Sequence, residues 1–408
     1  MIPISIRSFL LPIKRKVRKN RALYLRLAKF FGIYRNAVIC CARLFRGYDD
    51  NMVVFSSFYG RAYNDSPRYI SEALHAARPE TKIVWLFDKP ETIRNHYDVP
   101  DYVHVYHNIE RRGVVSLARA RVVVDNAVKR FYLKFPGKGQ VYVQTWHGDR
   151  AIKKVGFDNE DIHYHRPEEK LSLMMVGSDF GDQVMRTALR HNAEVMKLGI
   201  PRNDVLVRND PAERAAIRAR LNLDSDTRVL VFAPTFRDSE MGKGRDQRVP
   251  LDLSRVLDTL ERSTGEKWKC LVRAHYLAQG LAFDYNSDRF IPATDYPEMT
   301  ELLLIADALL TDYSSCASDF ILTHRPTYLY QDDENEYTSQ NREFYVPIES
   351  CGYWIAHTPE ELDALIEQTT PERAAENCDH LLAFYGTKET GRSTDAAVDY
   401  IISHLKKK

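Results

Sequence analysis

Residues 51–87 read NMVVFSSFYGRAYNDSPRYISEALHAARPETKIVWLF. The stretch opens on NMVVFSS (51–57) and closes on KIVWLF (82–87), two short runs that are mostly apolar and rich in β-branched residues. Between them SPRYISEALHAARPE (66–80) has the mixed pattern of an amphipathic helix. A strand that is apolar at successive residues is buried on both faces. Two such strands joined by a helix run parallel, because the helix spans the return path.

The same rhythm continues onward along the chain. RVVVDN (121–126), QVYVQTW (140–146) and LMMVGS (173–178) are further strand candidates, DFGDQVMRTALRH (179–191) is helical, and VMKLGIPRND (195–204) closes this half. A polar helical segment, RNDPAERAAIRARLNL (208–223), forms a bridge. Beyond it RVLVFAPT (228–235), KCLVRAHY (269–276), ALLTDYSS (308–315) and PTYLYQD (326–332) alternate with helical LDLSRVLDTLERS (251–263) and EMTELLLIAD (298–307). Two halves of this kind predict an α/β protein of two doubly wound domains facing a cleft. Ligands of such sheets bind beyond the carboxyl ends of the strands. At 408 residues the chain is long enough for more than one core.

Charge is unevenly spread. Residues 1–50 hold twelve Lys/Arg against Asp49 and Asp50, so the rest of the chain carries −8 of the net +2. A basic arm on an acidic body predicts an anionic partner. Within the arm, RALYLRLAKFFGIYR (21–35) puts Leu23, Leu27, Phe30, Phe31 and Tyr34 on one helical face. Such a helix suits an anionic lipid surface or packing on its own body. No nucleic-acid recognition motif accompanies the charge, so nucleic acid is not an expected partner. No run spans a bilayer, and the short apolar FLLPI precedes the basic cluster, the reverse of a signal peptide. The six cysteines include no CxxC pair, which predicts neither a zinc site nor a disulfide framework and fits a reducing cytoplasm. HYH (163–165) lacks a nearby acid pair and makes a poor metal site.

Polar groups gather just after the strands. His147 follows QVYVQTW, Arg202, Asn203 and Asp204 follow VMKLGI, and Thr235, Arg237 and Asp238 follow RVLVFAP. Arg273 and His275 share one side of an extended segment, and Ser314 and Ser315 open the stretch that contains Asp319. In TDYSSCASDFIL (311–322), Asp312 or a serine can simply cap a helix, or the serines and free N–H groups can seat a phosphate. Several cations near such a seat describe a pyrophosphate site. In VQTWHGDR (143–150), His147 is either a packed core histidine or a base at a strand end. No Walker loop or dinucleotide fingerprint is present.

The set TWHG (145–148), GIPRND (199–204), FAPTFRD (232–238), RAH (273–275), TDYSSxxxDF (311–320), YLYQDDENEY (328–337) and REFY (342–345) resembles the CDP-glycerol glycerophosphotransferase family, which includes the teichoic-acid primases and polymerases. The resemblance covers about residues 51–370, with motif order and spacing in agreement. It implies a GT-B-like fold of two Rossmann-like domains with the donor nucleotide in the C-terminal one. It also implies peripheral attachment to the cytoplasmic membrane face through the basic region, here residues 1–48. The expected divisions are a membrane-association arm (1–50), an acceptor domain (51–205), a CDP-donor domain (206–375) and a helical segment (376–408) packing back on the N-terminal domain.

By the same resemblance, the reaction moves a polyol phosphate from a CDP-polyol, with CDP-glycerol the default, to a hydroxyl of a lipid-linked or polymeric acceptor, releasing CMP in teichoic-acid or capsule synthesis. No cofactor or metal is expected. The resemblance assigns His147 and His275 to catalysis. Trp146, Gly148, Arg202, Thr235, Phe236, Arg237, Arg273, Ser314, Ser315 and Asp319 are expected to hold the donor and its phosphates, with Asp149, Asp204 and Asp238 in support. Three positions depart from the family pattern: Asp149 stands for a threonine, Tyr276 for a proline, and Glu343 for the glycine of RGFY. The alternatives are ribitol phosphate transfer, glycosyl transfer from a nucleotide sugar on the same architecture, and an inactive membrane scaffold.

Overall fold

A computed structural model describes residues 21–127, 134–159, 170–235, 251–273, 287–332 and 343–406, with only the backbone helix described over 21–31. The chain opens on helix α1 (Arg21–Arg46) and enters β1 (Asp49–Ser56), α2 (Asp65–Ala77), β2 (Lys82–Phe87), β3 (His104–His107), α3 (Arg111–Arg119) and β4 (Ala120–Asp125). There follow β5 (Val141–Gln144), β6 (Leu173–Val176), α4 (Asp179–Leu189) and β7 (Glu194–Lys197). These strands form one seven-stranded sheet in the order β3-β2-β1-β4-β5-β6-β7, and every pairing is parallel.

After α5 (Asp204–Arg208) and α6 (Pro211–Arg220) the second half contains β8 (Arg228–Phe232), α7 (Leu253–Thr264), β9 (Trp268–Val272), β10 (Phe290–Pro292), α8 (Met299–Ile305), β11 (Ala308–Thr311), α9 (Cys316–Phe320), β12 (Thr327–Tyr330) and β13 (Trp354–Ala356). Its sheet has the order β10-β9-β8-β11-β12-β13, again parallel throughout. Helices α10 (Pro359–Glu367), α11 (Pro371–Tyr385) and α12 (Ser393–His404) complete the described chain. Both sheets start in the middle, grow to one edge, then cross over and grow to the other. The crossover points, β1/β4 and β8/β11, are where doubly wound sheets open a crevice.

Alternation along the strands explains the layering. In β1, Val53 and Phe55 pack with Trp85 and Val122 under Ile70 and Leu74 of α2 and Ala397, Val398 and Ile401 of α12. Met52 and Val54 face the other way, toward Leu117 of α3. In the second sheet, Val229 and Val231 lie under α8, α9 and α11, while Leu230 and Phe232 face α7 and α10. Burying each such large side chain contributes about 1.5–3 kcal/mol. Helix starts are marked by side-chain caps: Ser178 accepts from Gly181 N at α4, and Thr358 accepts from Glu361 N at α10.

Helix α1 runs past the expected amphipathic segment and docks on the first domain. Ile39 and Ala42 are buried against Val114 and Ala118 of α3. Arg43 fastens the joint, donating to the carbonyls of Ala118 and Lys134 at 3.2 and 2.7 Å and to Gln140 Oε1 at 3.0 Å. Ile33, Tyr34, Leu44 and Phe45 stay exposed. The side chains of Leu23, Leu27, Phe30 and Phe31 lie outside the described residues. Among the described residues no helix is long and apolar enough to cross a membrane.

Candidate active site

His147 lies just beyond β5, at the carboxyl end of the first sheet. Its Nδ1 sits 2.6 Å from the main-chain oxygen of Asn126, beyond the end of the neighbouring strand β4. A carbonyl only accepts, so Nδ1 carries the proton and Nε2 the lone pair. Phe58 packs against the imidazole with ring centroids 5.2 Å apart, and Trp146 stacks on it at 4.5 Å. Trp146 has φ 51°, and Phe58 and Tyr59 have φ 43° and 66°. Left-handed backbone at bulky residues is costly and persists where the surroundings impose it. The strain surrounds this one histidine.

Asn126 organises the loop as well. Its side chain is fully buried, accepts from Phe58 N at 2.8 Å and donates to Ser57 Oγ at 3.1 Å. Asn126 and Phe58 were missed in the sequence reading. The signal was available: Asn126 ends RVVVDN, and a polar residue at a strand end beside the switch point belongs to the site.

Ser314 and Ser315 follow β11 at the switch point of the second sheet. They line one pocket together with His147, Gly148, Lys153 and Thr235. Ser315 holds the N-cap position of α9, yet its side chain makes no cap hydrogen bond. That removes the ordinary use of a serine at this position. Ser314 Oγ accepts from Cys316 N at a long 3.4 Å. A methyl group on Gly148 would lie 3.5 Å from Ser315 Oγ, so the histidine loop and the serine loop stand within about one methyl group of contact across the cleft. Thr235 N donates to both carboxylate oxygens of Asp312 at 2.9 and 3.0 Å, which ties the β8 and β11 ends together.

The remaining expected residues divide. Arg273 is directed onto main-chain oxygens of Ala293 and Tyr296 at 3.2 and 2.7 Å, bracing a loop of its own domain. Arg202 does not reach the pocket. It is buried, and its guanidinium meets Asp65 at 3.2 Å and Asp319 at 2.8 Å. Asp319 likewise holds no open acceptor for a donor molecule, being claimed by Arg150, Arg202 and Asn203. A buried arginine needs its carboxylates, and no spacing in the sequence says which it has. Asp204 accepts from Ser393 N at 3.0 Å and Thr394 N at 2.7 Å, capping α12 far from the pocket lining. Trp146 is buried and packs beneath the histidine with Met174 and Met185. His275, Phe236, Arg237, Asp238 and Tyr276, like HYH (163–165), lie outside the described residues.

Two of the departures have structural partners. Asp149 is buried below α4, accepting from Ser178 Oγ at 2.7 Å beside Arg150. Glu343 pairs with Lys154 Nζ at 2.5 Å, and Lys154 N donates to Glu343 O at 2.8 Å. Tyr345 N donates to Ile152 O at 2.7 Å, so the REFY segment forms a short antiparallel ladder with the loop after His147.

A buried acid also sits between the halves. Glu298 Oε2 accepts from Asp65 N at 2.7 Å, joining the loop before α8 to the start of α2. Burial, with the Asp65 carboxylate beside it, pushes the Glu298 carboxyl up to about 7.

Comparison with known proteins places the chain in a family. Residues 39–403 match the family model described as CDP-Glycerol:Poly(glycerophosphate) glycerophosphotransferase. The chain is 30% identical over 341 residues to a teichoic acid poly(glycerol phosphate) polymerase of Staphylococcus epidermidis, covering 78% of this chain and 46% of that one. It therefore spans about half the length of that relative. A teichoic acid glycerol-phosphate transferase of Staphylococcus aureus is 28% identical, with 79% and 85% of the two chains covered. The solved wall teichoic acid polymerase TagF superposes with a TM-score of 0.79 at 25% identity, covering 93% of this chain and 97% of that one. The fold is thus two Rossmann-like α/β domains in a GT-B-like pair, and the chain belongs to the CDP-glycerol:poly(glycerophosphate) glycerophosphotransferase family.

Proposed function

We propose that the protein transfers glycerol phosphate from CDP-glycerol to a hydroxyl of a lipid-linked or polymeric acceptor, releasing CMP, in teichoic-acid-type polymer synthesis. The observation that carries this is His147, with Nδ1 held by Asn126 O, across one pocket from Ser314 and Ser315. In this reading the acceptor oxygen attacks the β-phosphorus of the donor. Its proton passes to His147 Nε2, the bond from the β-phosphorus to the bridging oxygen breaks, and CMP leaves with the negative charge. The Ser314 and Ser315 hydroxyls donate to the pyrophosphate, and the Lys153 ammonium offsets its charge. Residues 51–205 serve as the acceptor half and 206–375 as the donor half. The basic arm and the exposed Ile33, Tyr34, Leu44 and Phe45 of α1 support seating on an anionic membrane surface, at its cytoplasmic face.

The test is direct. The purified protein is offered CDP-glycerol, CDP-ribitol and UDP-sugars with a lipid-linked glycerol phosphate acceptor, and CMP and UDP are quantified. CMP release dependent on CDP-glycerol and acceptor is expected. Release of UDP alone would overturn the proposal, and CMP from CDP-ribitol alone would reassign the polyol.

A further inference from the structure

Arg150 takes no part in the chemistry just described, yet all three of its guanidinium nitrogens are bonded to protein groups beside it. It stands three residues after His147 and is 1% exposed. Its Nε donates to the Ser318 carbonyl at 3.0 Å and its Nη2 to Asp319 Oδ1 at 3.2 Å. Both acceptors belong to α9, three and four residues after Ser315. On its other side, Nη1 donates to Glu389 Oε1 at 2.9 Å, and Asp149 lies 3.7 Å away.

Asp319 shows what this arrangement spans. It comes from the second sheet's domain, and each of its side-chain donors comes from the first half. Arg150 and Asn203 reach Oδ1 at 3.2 and 3.0 Å, and Arg202 reaches Oδ2 at 2.8 Å. A catalytic base and the groups that hold the reacting phosphate must keep a fixed separation, and here they lie on different domains. A planar, always-charged fork with two targets on one short helix can set such a separation, whereas a lysine offers its donors from a single nitrogen on a flexible stem and lacks the spread of the fork.

We propose that Arg150 is a positioning residue, which fixes the distance from His147 to the Ser314 and Ser315 hydroxyls by bolting the histidine loop to the helix that follows the serines. This rests on the roles given to those three residues under the proposed function. Arg150 lines the same pocket, but each of its guanidinium nitrogens is committed to a protein acceptor. It acts by making the two halves of the site one rigid unit, and Asp319 is its counterpart.

The experiment compares the unaltered protein with Arg150→Lys, Asp319→Asn and the double variant. Three quantities are read: kcat for CMP release, the dissociation constant for CDP-glycerol without acceptor, and amide exchange over residues 145–152 and 314–320. Each single variant is expected to lose about 10- to 100-fold in kcat, the scale of a misplacement on the order of 1 Å, with donor affinity held within about threefold. Exchange should rise in both segments together, and the double variant should be no worse than the poorer single one. Turnover within about twofold of the unaltered protein, additive losses, or a loss confined to donor affinity would overturn the proposal. The exchange measurement needs no turnover. If the unaltered protein does not use CDP-glycerol, the proposed function fails, while exchange still decides on Arg150: unchanged exchange over 314–320 in Arg150→Lys sinks it. Should Arg150→Lys fail to fold, Asp319→Asn, which keeps the side-chain shape, is judged by the same three readings.

Discussion

The carbonyl of Asn126 holds Nδ1 of His147 at 2.6 Å, so one strand end of the first sheet sets the proton position of an imidazole carried by the next. The ring orientation and tautomer are thereby set by the main chain. Replacing it should leave the fold intact, because its neighbours Phe58 and Trp146 are anchored through Asn126 and the packing around Met174. His147→Ala is expected to lose about 10²–10⁴-fold in CMP release, the usual worth of acid–base catalysis, with an unchanged melting temperature. Turnover near the unaltered level would remove His147 from the mechanism.

The Asn126 side chain is the support of that support. Asn126→Ala leaves the carbonyl in place but deprives Phe58 N of its 2.8 Å acceptor inside the protein. An orphaned buried donor costs about 1–3 kcal/mol, so urea unfolding should shift by that amount, with kcat reduced as the Phe58 loop loosens. Unchanged stability would mean that water replaces the amide.

Ser315 separates two uses of a serine at a helix start. An N-cap serine replaced by alanine costs about 1 kcal/mol of stability. Ser315 makes no cap bond, so Ser315→Ala should leave stability within about 0.5 kcal/mol while weakening CDP-glycerol binding by about tenfold, the scale of one hydrogen bond to a charged group. Calorimetric titration and thermal melts together check it, and the opposite pattern would return Ser315 to an ordinary cap.

Glu298 gives a pH dependence with a definite sign. Its carboxyl is raised from 4.5 to about 7. It faces Asp65 and Arg68, and feels Arg202, Arg273, Tyr69 and Tyr97 from the surrounding elements. Between those pH values the folded protein holds a proton that the unfolded chain has released. The stability contribution is therefore fully present below about pH 4.5 and is lost as pH rises through about 7, by roughly 3 kcal/mol. Glu298→Gln should remove that part of the slope between about pH 5 and about pH 8 in denaturant titrations. An identical slope in the variant would show that other groups carry it.

For the membrane, point changes on α1 are cleaner than removing residues 1–48. Ile39, Ala42 and Arg43 are structural, so that deletion would uncover Val114 and Ala118. Leu44→Glu with Phe45→Glu should weaken co-sedimentation with anionic vesicles at least about tenfold and leave melting unchanged, because both side chains are more than three-quarters exposed. Undiminished sedimentation would relocate the contact.

Much of this was legible before any coordinates. Interior strands such as KIVWLF and RVLVF are apolar on both faces and announce themselves. The strands missed, His104–His107, Phe290–Pro292 and Trp354–Ala356, all lie at sheet edges, where one side has no neighbour and HVYH or FIP suffices. Strand-end position was enough to bring His147, Ser314 and Ser315 to one pocket, because the fold delivers those ends to the cleft. It misplaced Arg202 and Asp319, since a charge near a strand end looks the same whether it meets a phosphate or a buried partner. Arg150 was invisible for the same reason: its acceptors lie 168 and 169 residues away on another domain.

Helix α12 gives the first domain a timetable. Ala397, Val398, Ile401 and Leu405 are fixed parts of the first domain's core, packed with Val53, Phe55 and Leu74. As the chain emerges from a ribosome, the first sheet can pair its strands early, but α2 covers only part of this apolar face, and another part stays uncovered until those residues follow. A polypeptide stalled after the second sheet would leave that part bare, a target for chaperones and proteases. The arrival of α12, rather than the pairing of the last strand, is what closes the first domain's core.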